Sequence, residues 1–281
     1  MPALTINTNM MALRAANNLN RSYNALATSL NKLSSGLRIN SAADDAAGLA
    51  IRELLRSDIA VLNQGVRNAN DAISMLQVMD GAAGVIDEKL IRMKELAEQS
   101  STGTYSDKQR EIMEAEFASM RDEIERIAQA TNFNDVKLLA GPNNTSSQIK
   151  IHFGTGNSSA EDYYYVQGQD FTASGLGLKD LTIGTQHSAQ TAIEMITSAI
   201  LAKDMGRAHF GSMMNRFANT VTNLTIQAEN LQAAESQISD VDVAYEMTNF
   251  MNTQIRVQAA VAMLSQANMM PQLALSLLQG S

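Results

Sequence analysis

Residues 33–51 read LSSGLRINSAADDAAGLAI, and they separate two long apolar repeats of the chain. The stretch is rich in Ser, Gly, Ala, Asn and Asp and poor in large apolar side chains. Ser34, Ser35 and Gly36 disfavour a helix, because hydroxyl groups compete for backbone hydrogen bonds and glycine loses much conformational entropy on folding. We predict that this stretch is a hinge between two long helices. Its composition alone would also suit an ordinary interhelical loop.

Three polar residues of the hinge predict where the second helix begins. Ser41 is a suitable N-cap residue, and Asp44 with Asp45 would follow it as the acidic residues of a first turn. Neighbouring carboxylates can also serve in acid–base chemistry, but a helix start explains this pair better. We therefore assign Asp44 and Asp45 to the hinge and not to a catalytic site.

Apolar residues repeat in steps of four and three on both sides of the hinge, which is typical of a heptad seam. At 1.5 Å per residue, a first helix from about residue 5 to residue 33 would be ~45 Å long, and the next seam extends for ~60 Å. Such lengths indicate a bundle or a coiled coil. The first seam contains Leu19, Tyr23, Leu26, Leu30, Leu33 and Leu37. The second contains Leu55, Ile59, Leu62, Val66, Ala69, Ile73, Leu76, Ala83, Ile86, Leu90, Met93 and Ala97.

The composition changes between about residues 141 and 186, where Gly, Asn, Ser, Thr and Tyr become common. A third helix, from Ser106 to about Thr131, precedes this region. Within it we predict short strands at 148–153 and 162–167, joined by Gly and Asn turns. So short a segment cannot form a large independent domain without disulfides or metal ions. We expect a β-rich excursion that packs on the helices.

A last helical region begins at about Ser188 and contains a second break at 236–242, SQISDVD. The apolar register changes across this break, so we expect it to be the partner of the hinge. The seam before the break contains Phe210, Met214, Phe217, Val221, Leu224, Ala228 and Leu231. The seam after it contains Val243, Met247, Phe250, Val257, Val261 and Leu264.

The chain is therefore organised like a mirror image, with helical ends and a β-rich middle. The predicted fold is mainly α: a long antiparallel helical bundle or coiled coil with a small β-hairpin excursion. We predict a terminal coiled-coil domain formed by 1–43 and 238–281. Residues 44–237 would form a helical inner-layer domain that includes the excursion at about 141–186.

Charge limits the kinds of partner. The net charge of −8 and the pI of about 4.9 argue against nucleic acid, because phosphate binding needs a basic face. The first 43 residues carry four basic side chains and no acidic one, and the region around the second break is acidic. The two could complement each other. The basic residues are Arg14, Arg21, Lys32 and Arg38, and the acidic ones are Glu229, Glu235, Asp240, Asp242 and Glu246.

Residues for catalysis, metal binding or cofactor binding are not recognisable. The chain has no cysteine, and its three histidines lack the spacing of a metal site. We therefore predict no enzyme, no catalytic or metal-binding residue and no cofactor. No run approaches the ~18 apolar residues of a membrane span, and the N-terminus lacks the apolar core of a secretory signal. We expect no membrane partner, and either a cytosolic location or export without a cleaved signal peptide.

Three stretches resemble the bacterial flagellin family. LSSGLRINSAADDAAGLAI closely resembles its N-terminal signature, and ATNFNDVKLL resembles the segment after its third helix. Near the other end, Ser265, Gln266, Ala267, Asn268 and Pro271 are followed by a leucine-rich segment, 275–278, that is similar to the end of the family. The resemblance covers both ends and much of the middle, and the large variable outer domains of longer members are missing.

This resemblance implies a structural subunit that polymerises into the flagellar filament for motility. The terminal helices would form the inner tube, and the next layer would form the outer tube. Family members pass through the flagellar type III export apparatus to the extracellular flagellum, without a cleaved signal peptide. The implied partners are other copies of the chain, an export chaperone at the C-terminal segment, the filament cap and the hook–filament junction proteins.

The segment 90–99, LIRMKELAEQ, resembles the part of flagellins that Toll-like receptor 5 recognises. The match places Arg92 and Leu96 at its centre and Glu116 on the neighbouring helix. Arg92 and Leu96 are four residues apart, so we expect them to share a helix face. An arginine beside an apolar residue is a common interface hot spot. Assembly alone would also explain such a face, because it would pack against a neighbouring subunit.

Two other functions fit parts of the sequence. A hook–filament junction protein shares the terminal helices, and a cytosolic coiled-coil adaptor shares the heptad seams. The full sequence of the hinge, residues 33–51, resembles flagellin more closely than the junction protein. Filaments seen by electron microscopy, and secretion through the flagellar apparatus, would separate flagellin from an adaptor.

Overall fold

Long helices make up most of the chain in this computed structural model, which describes residues 8–141, 148–159 and 161–279, the last seven without their side chains. Within that part lie five helices and two antiparallel hairpins. The predicted fold class, mainly α with a small β excursion, is confirmed. The helices are α1 (Met10–Ser35), α2 (Ala46–Ser101), α3 (Asp107–Ala130), α4 (Gln186–Ser239) and α5 (Val243–Gln279). The strands are β1 (Asn132–Phe133), β2 (Val136–Lys137), β3 (Ile149–His152) and β4 (Tyr163–Val166).

The chain divides into two compact units. The end unit consists of Met1–Ser57 with Asn230–Ser281, and the central unit is Asp58–Glu229. Both ends of the sequence therefore belong to one unit, and α2 and α4 each contribute to both. The predicted boundaries at 43/44 and 237/238 remain a proposal about layers of an assembly.

In the central unit, α2 and α4 run antiparallel. Asp80 on α2 pairs with Arg207 on α4 at 2.7 Å. Two turns later on α2, Asp87 pairs with Lys203, which lies one turn earlier on α4. The Lys203 side chain is almost fully buried, and Asp204 accepts a second hydrogen bond from it at 2.7 Å. A buried ammonium group needs such partners, because an unpaired charge in the core is costly.

The predicted seams of the central unit are largely confirmed as its core. The predicted seam of α2 is buried at most positions from Leu62 to Ala97, and helix α2 continues through Gly81 and Gly84 without a break. Three phenylalanines, Phe117, Phe210 and Phe217, supply the bulk between the helices. The seam of leucine, isoleucine, alanine and methionine thus packs without tryptophan, which the chain lacks.

Arg110 closes the turn between α2 and α3. Its guanidinium donates to the carbonyl oxygens of Ser100, Thr102 and Tyr105 at 3.1, 2.6 and 3.1 Å. The last carbonyls of a helix lack hydrogen-bond partners within the helix. A cation at this end donates to them and also interacts favourably with the negative end of the helix dipole. At the start of α3, the Gln109 side chain accepts from the Ser106 backbone N–H at 2.9 Å. The predicted helix start at Ser106 is confirmed.

The two hairpins differ in how far the sequence predicted them. Strands β3 and β4 lie within the predicted segments and pair from Ile149 with Val166 to His152 with Tyr163. The short β1–β2 hairpin was not predicted. Its two-residue turn has Asn134 and Asp135 in the left-handed region, at φ 50° and 64°. Asn and Asp tolerate this conformation better than other residues with side chains.

The β3–β4 hairpin lies directly against α2. The Asn68 side chain donates to the carbonyl oxygen of His152 at 2.8 Å. One turn earlier, a Cβ atom at Gly65 would collide with the carbonyl oxygen of Phe153. Glycine at this position therefore allows the strand backbone to approach the helix.

In the end unit, α1 and α5 pack antiparallel, but the predicted seams have the correct phase at only half of their positions. On α1, the inner row is Leu19, Ser22, Leu26, Ser29 and Leu33, whereas Tyr23 and Leu30 point outward. On α5, the inner row is Phe250, Thr253, Val257, Ala260 and Leu264, whereas Val243, Met247 and Val261 point outward. Apolar residues occur on several faces of both helices, so their spacing could not fix which row turns inward. Small side chains in the inner rows allow the helices to approach closely.

Candidate functional site

The end unit presents an outward apolar surface on α1 and α5. Among the described residues, Ile39 and Val257 are the buried hydrophobic residues of this unit, and every other one lies in the central unit. Leu30, for example, is 55% exposed. So many exposed apolar side chains on two paired helices favour association with another apolar surface. The outward apolar surface comprises Met10, Met11, Leu13, Tyr23, Leu30, Val243, Tyr245, Met247, Met251, Ile255, Val261, Met263, Met269 and Met270.

The first half of the hinge ends α1. Ser34 and Ser35 lie in the last turn of this helix, and Gly36 follows as its C-cap with φ 73°. The Gly36 N–H donates to the carbonyl oxygen of Lys32 at 2.9 Å. Glycine is favoured here because the left-handed conformation strains residues that carry a Cβ atom. The Asn40 side chain donates to the Ser35 hydroxyl at 2.8 Å and so ties the two sides of the turn together.

The second half of the hinge begins α2, but the predicted N-cap was wrong. The helix starts after Asp45, whose carboxylate accepts from the Gly48 N–H at 2.9 Å, so the cap is Asp45 and not Ser41. Ser41 and Asp44 belong to a separate turn, in which the Asp44 carboxylate accepts from the N–H groups of Asn40 and Ser41 at 3.2 and 2.9 Å. The sequence allowed either residue as a cap, because Ser and Asp serve equally well.

Those hydrogen bonds change the acidity of Asp44. The backbone N–H of Ser41, then that of Asn40, stabilises the ionised carboxylate and holds the pKa of Asp44 below its ordinary value of 3.8. The turn therefore keeps its full set of hydrogen bonds at neutral pH.

The two breaks in the helical chain meet in the end unit. Leu37 pairs with Asp240 as an isolated antiparallel bridge, and the Arg38 N–H donates to the carbonyl oxygen of Ser239 at 2.7 Å. The Val241 N–H donates to the carbonyl oxygen of Gly36 at 3.0 Å. The break at 236–242 is thus joined to the hinge by backbone hydrogen bonds.

The expected charge complement between the ends takes another form. Among the described residues, no salt bridge joins the basic residues of α1 to the acidic stretch near the second break. Instead the Arg38 guanidinium donates to the carbonyl oxygen of Ile238, from Nε at 3.2 Å and from Nη2 at 2.6 Å. The carbonyl groups at the end of α4 lack partners within the helix, which explains this choice.

Asn9 joins the two terminal helices, and sequence reasoning missed it. Its side-chain oxygen accepts from the Ala12 N–H at 3.0 Å as the N-cap of α1, and its Nδ2 donates to the carbonyl oxygen of Ala267 at 2.8 Å. Pro271 lies inside α5 and has no N–H, so it leaves the carbonyl four residues earlier, that of Ala267, without its helical partner. One amide thus caps one helix and repairs the other. Asn9 and Pro271 were visible separately, but no sequence pattern connects them.

The predicted receptor or inter-subunit residues lie in the central unit. Arg92 on α2 pairs with Glu116 on α3 at 2.8 Å and with Glu95 at 3.0 Å. Hydrogen bonds from Arg92 to Glu116, and then to Glu95, raise the pKa of Arg92 above its ordinary value. The Arg92 and Glu116 side chains are 47% and 41% exposed, whereas Leu96 is 2% exposed. The pair is accessible to a partner, and Leu96 supports it from the core.

Among the described residues, no three acidic, histidine or cysteine side chains cluster as a metal site would require. In the same part of the chain, no helix combines the length and the apolar character of a membrane span. Paired helices with an apolar outer surface, a bonded hinge and a small excursion are the features that the structure offers for function.

Two family models match this arrangement. The bacterial flagellin N-terminal helical region matches residues 6–144, and the bacterial flagellin C-terminal helical region matches residues 193–278. The chain belongs to the bacterial flagellin family. Within that family, α1 to α3 and the β1–β2 hairpin fall in the N-terminal region, and most of α4 and nearly all of α5 fall in the C-terminal region.

Similar proteins support the family over the full length. The chain is 42% identical to a flagellin of Halalkalibacterium halodurans over 278 residues, which cover 98% of this chain and all of that one. It is 36% identical to a flagellin of Bacillus subtilis over 305 residues, again with 98% and full coverage. The crystal structure of Bacillus cereus flagellin is 31% identical, with a TM-score of 0.50 over 60% of this chain and 94% of that chain.

A putative flagellar hook-associated protein of Vibrio parahaemolyticus is similar in fold alone, at 13% identity and a TM-score of 0.58. The two family models and the full-length flagellin relatives therefore favour flagellin over a junction protein. As a member of this family of structural proteins, the chain is a structural subunit of the flagellar filament.

Proposed function

We propose that the outward apolar surface of α1 and α5 forms the contacts between subunits of the filament. The carrying observation is that Ile39 and Val257 are the only buried hydrophobic residues in the described end unit, although it contains two long paired helices. Exposing so much apolar area is unfavourable in water, and other copies of the same helices would cover it. The chain then self-assembles because its monomer is incomplete.

Removal of residues 251–281 tests this proposal. The truncated chain loses most of α5 and most of the outward methionines, but none of the central unit. We expect sedimentation and negative-stain microscopy to show filaments from the seeded full chain and none from the truncated one. Circular dichroism should show that the truncated chain keeps α2 to α4. Filament formation by the truncated chain would refute the proposal, and loss of all helical signal would show that the two units fold as one.

The same reasoning assigns layers to the filament. Residues 1–43 and 238–281 would form its inner core, and 44–237, with the excursion at about 141–186, would form the layer around it. The apolar surface of the end unit supports the inner position, because neighbouring subunits and the layer around them would cover that surface there. Proteolysis of filaments should cut the polar excursion first, and rapid cleavage within α5 of intact filaments would contradict this order.

The Arg92–Glu116 pair is the second proposed interface, both between subunits and with Toll-like receptor 5. Arginine in a two-carboxylate network presents its charge in a fixed geometry, which suits recognition. The test is the Arg92→Ala monomer in a receptor-binding assay and in a sedimentation assay. Arg126→Ala is the matched control, because Arg126 forms a similar exposed pair with Glu123 at 2.6 Å on α3. We expect Arg92→Ala to weaken both activities and Arg126→Ala to weaken neither; unchanged receptor binding by Arg92→Ala would remove this site.

The remaining proposed partners follow from membership of the family. An export chaperone would cover the C-terminal segment, whose exposed apolar residues would otherwise cause aggregation before assembly. The filament cap and the hook–filament junction proteins would contact the subunit at the two ends of the filament. Export to the cell exterior without a cleaved signal peptide completes the proposal, and identification of the intact N-terminus of secreted chain by mass spectrometry tests it.

A further inference from the structure

The methionines of this chain divide sharply between the two units. The sequence contains 17 Met, no Cys and no Trp. Every described methionine of the end unit is exposed, between 44% and 65%: Met10, Met11, Met247, Met251, Met263, Met269 and Met270. In the central unit, Met75, Met79, Met93, Met113 and Met213 are buried, Met120 and Met214 are half-buried, and Met195 with Met205 are exposed. These seven described methionines of the end unit are named the terminal methionines below.

These positions have a defined chemistry. Peroxide oxidises a thioether when a sulfur lone pair takes one oxygen; the O–O bond breaks, the sulfur loses two electrons and becomes a sulfoxide, and water is released. Cysteine would compete for the oxidant, but the chain has none. Exposure then decides which methionines react, so among the described residues the terminal methionines, with Met195 and Met205, are the most accessible sulfurs of the unpolymerised chain.

Oxidation at these positions would act on assembly. All seven terminal methionines belong to the outward apolar surface, which is the subunit contact in the proposed function. A sulfoxide is polar and disrupts methionine-rich interfaces, because its oxygen loses hydrogen bonds to water when it is buried. The core of the central unit would be unaffected, since its methionines are shielded from peroxide.

We propose that the terminal methionines are a peroxide-sensitive modification site whose oxidation to sulfoxide prevents the free subunit from entering the filament. This inference rests on the proposed function of the same surface. Once assembled, the filament covers these sulfurs and protects them. Reduction of the sulfoxides by a thiol-dependent sulfoxide reductase would restore a subunit that can assemble.

The first experiment needs no variant. The purified monomer is treated with hydrogen peroxide until about one sulfoxide per chain has formed, then seeded, and the filament is separated from the remaining monomer. Peptide mass spectrometry measures sulfoxide at each methionine in both fractions. We expect sulfoxide at the terminal methionines to be at least about fivefold lower in the filament than in the remaining monomer. Equal sulfoxide at these positions in both fractions would overturn the proposal.

The second experiment assigns the effect to the terminal methionines. Leucine conserves their apolar character and favours a helix, so a variant with all seven replaced by Leu should assemble and should resist peroxide. A matched control carries Met195→Leu and Met205→Leu, which removes exposed sulfur from the central unit alone. We expect peroxide to raise the critical concentration of the wild type and of this control about tenfold. A control that resists peroxide would overturn the assignment to the end unit.

The outcomes separate this inference from the proposed function. If the untreated wild type forms no filament through this surface, the proposed function fails. If the untreated chain assembles and the oxidised chain assembles equally well, the inference fails and the proposed function stands. Should the sevenfold variant fail to assemble before treatment, the comparison of wild-type fractions still decides the question.

Discussion

The central and the end unit are both built from long helices with heptad spacing, yet they bury their apolar residues very differently. In the central unit, α2, α3 and α4 enclose a core that includes Phe117, Phe210 and Phe217. In the end unit, α1 and α5 touch along rows that mix large apolar with small side chains and are mostly only half-buried, and many further apolar residues of both helices point outward. The same sequence pattern thus gives a finished core in one region and an unfinished one in the other. In the proposed function, the unfinished region is the one that assembles.

Removing bulk from the central core should have the largest effect. Phe117 is fully buried on α3, so Phe117→Ala would leave a cavity and lower the free energy of unfolding by about 3–5 kcal/mol. Urea denaturation of the monomer, followed by circular dichroism, measures this loss. A change below about 1 kcal/mol would mean that the central unit is not the stable part of the monomer.

A substitution on the outward surface should have the opposite profile. Leu30→Gln keeps a good helix former and changes an exposed side chain, so the unfolding free energy of the monomer should stay within about 0.5 kcal/mol. Burial of a leucine contributes about 1.5–3 kcal/mol, so the critical concentration of polymerisation should rise about tenfold or more.

The control for Leu30 is an exposed leucine of the central unit. Leu201→Gln changes a residue of similar exposure on α4, and we expect it to leave the critical concentration unchanged within about a factor of two. Equal effects of the two substitutions would show that exposure alone, and not membership of the end unit, determines which residues assemble.

The Asn9 bridge should contribute a smaller amount. Asn9→Ala removes the N-cap of α1 and the partner of the Ala267 carbonyl, at a cost of about 0.5–2 kcal/mol. Pro271→Ala would return a helical partner to that carbonyl, so Asn9→Ala should cost less when Pro271 is also replaced. The heat dissociation of filaments from the wild type, both single variants and the double variant measures this coupling. Strictly additive effects would contradict the link between Asn9 and Pro271.

Acid should have the smallest of these effects, and it should act at the turn that contains Asp44. The pKa of Asp44 is depressed in the folded turn, so its contribution to stability is complete above about pH 3.8 and is lost as the pH falls through the lowered value. The backbone amide of Ser41, followed by NMR against pH, should report this transition. In the Asp44→Asn variant, the Ser41 amide should no longer show this pH transition. A transition at or above pH 3.8 in the wild type would contradict the depressed pKa of Asp44.

The sequence predicted the central unit better than the end unit. The seams of α2 and α4, the helix start at Ser106 and the strands β3 and β4 were predictable. Each helix of the central unit packs through one apolar face, so its apolar spacing identifies that face. The phase of α1 and α5 was not, since these helices carry apolar residues on several faces. In the proposed function these faces serve two kinds of partner: α1 and α5 pack on each other within the chain, and other copies cover the outward faces. A single sequence does not show which face belongs to which partner.

Other prediction errors concern local details of the helices. The cap of α2 was assigned to Ser41 although Asp45 fills it, because both residue types accept an N–H. The shared face expected for Arg92 and Leu96 is divided between solvent and core, because four residues turn a helix by slightly more than one full turn and the core boundary passes between them. Contacts between distant residues, such as the bridge between Leu37 and Asp240, have no signal in a single sequence beyond the two breaks themselves.

The central claim is that the end unit is completed only by other subunits, and hydrogen exchange tests it most directly. Amide exchange should be compared in a verified monomer and in the filament, helix by helix. We expect α2, α3 and α4 within the central unit to be protected in both states, and α1 and α5 to exchange rapidly in the monomer and to become protected in the filament. Protection of α1 and α5 in the monomer as strong as that of the central unit would contradict the claim.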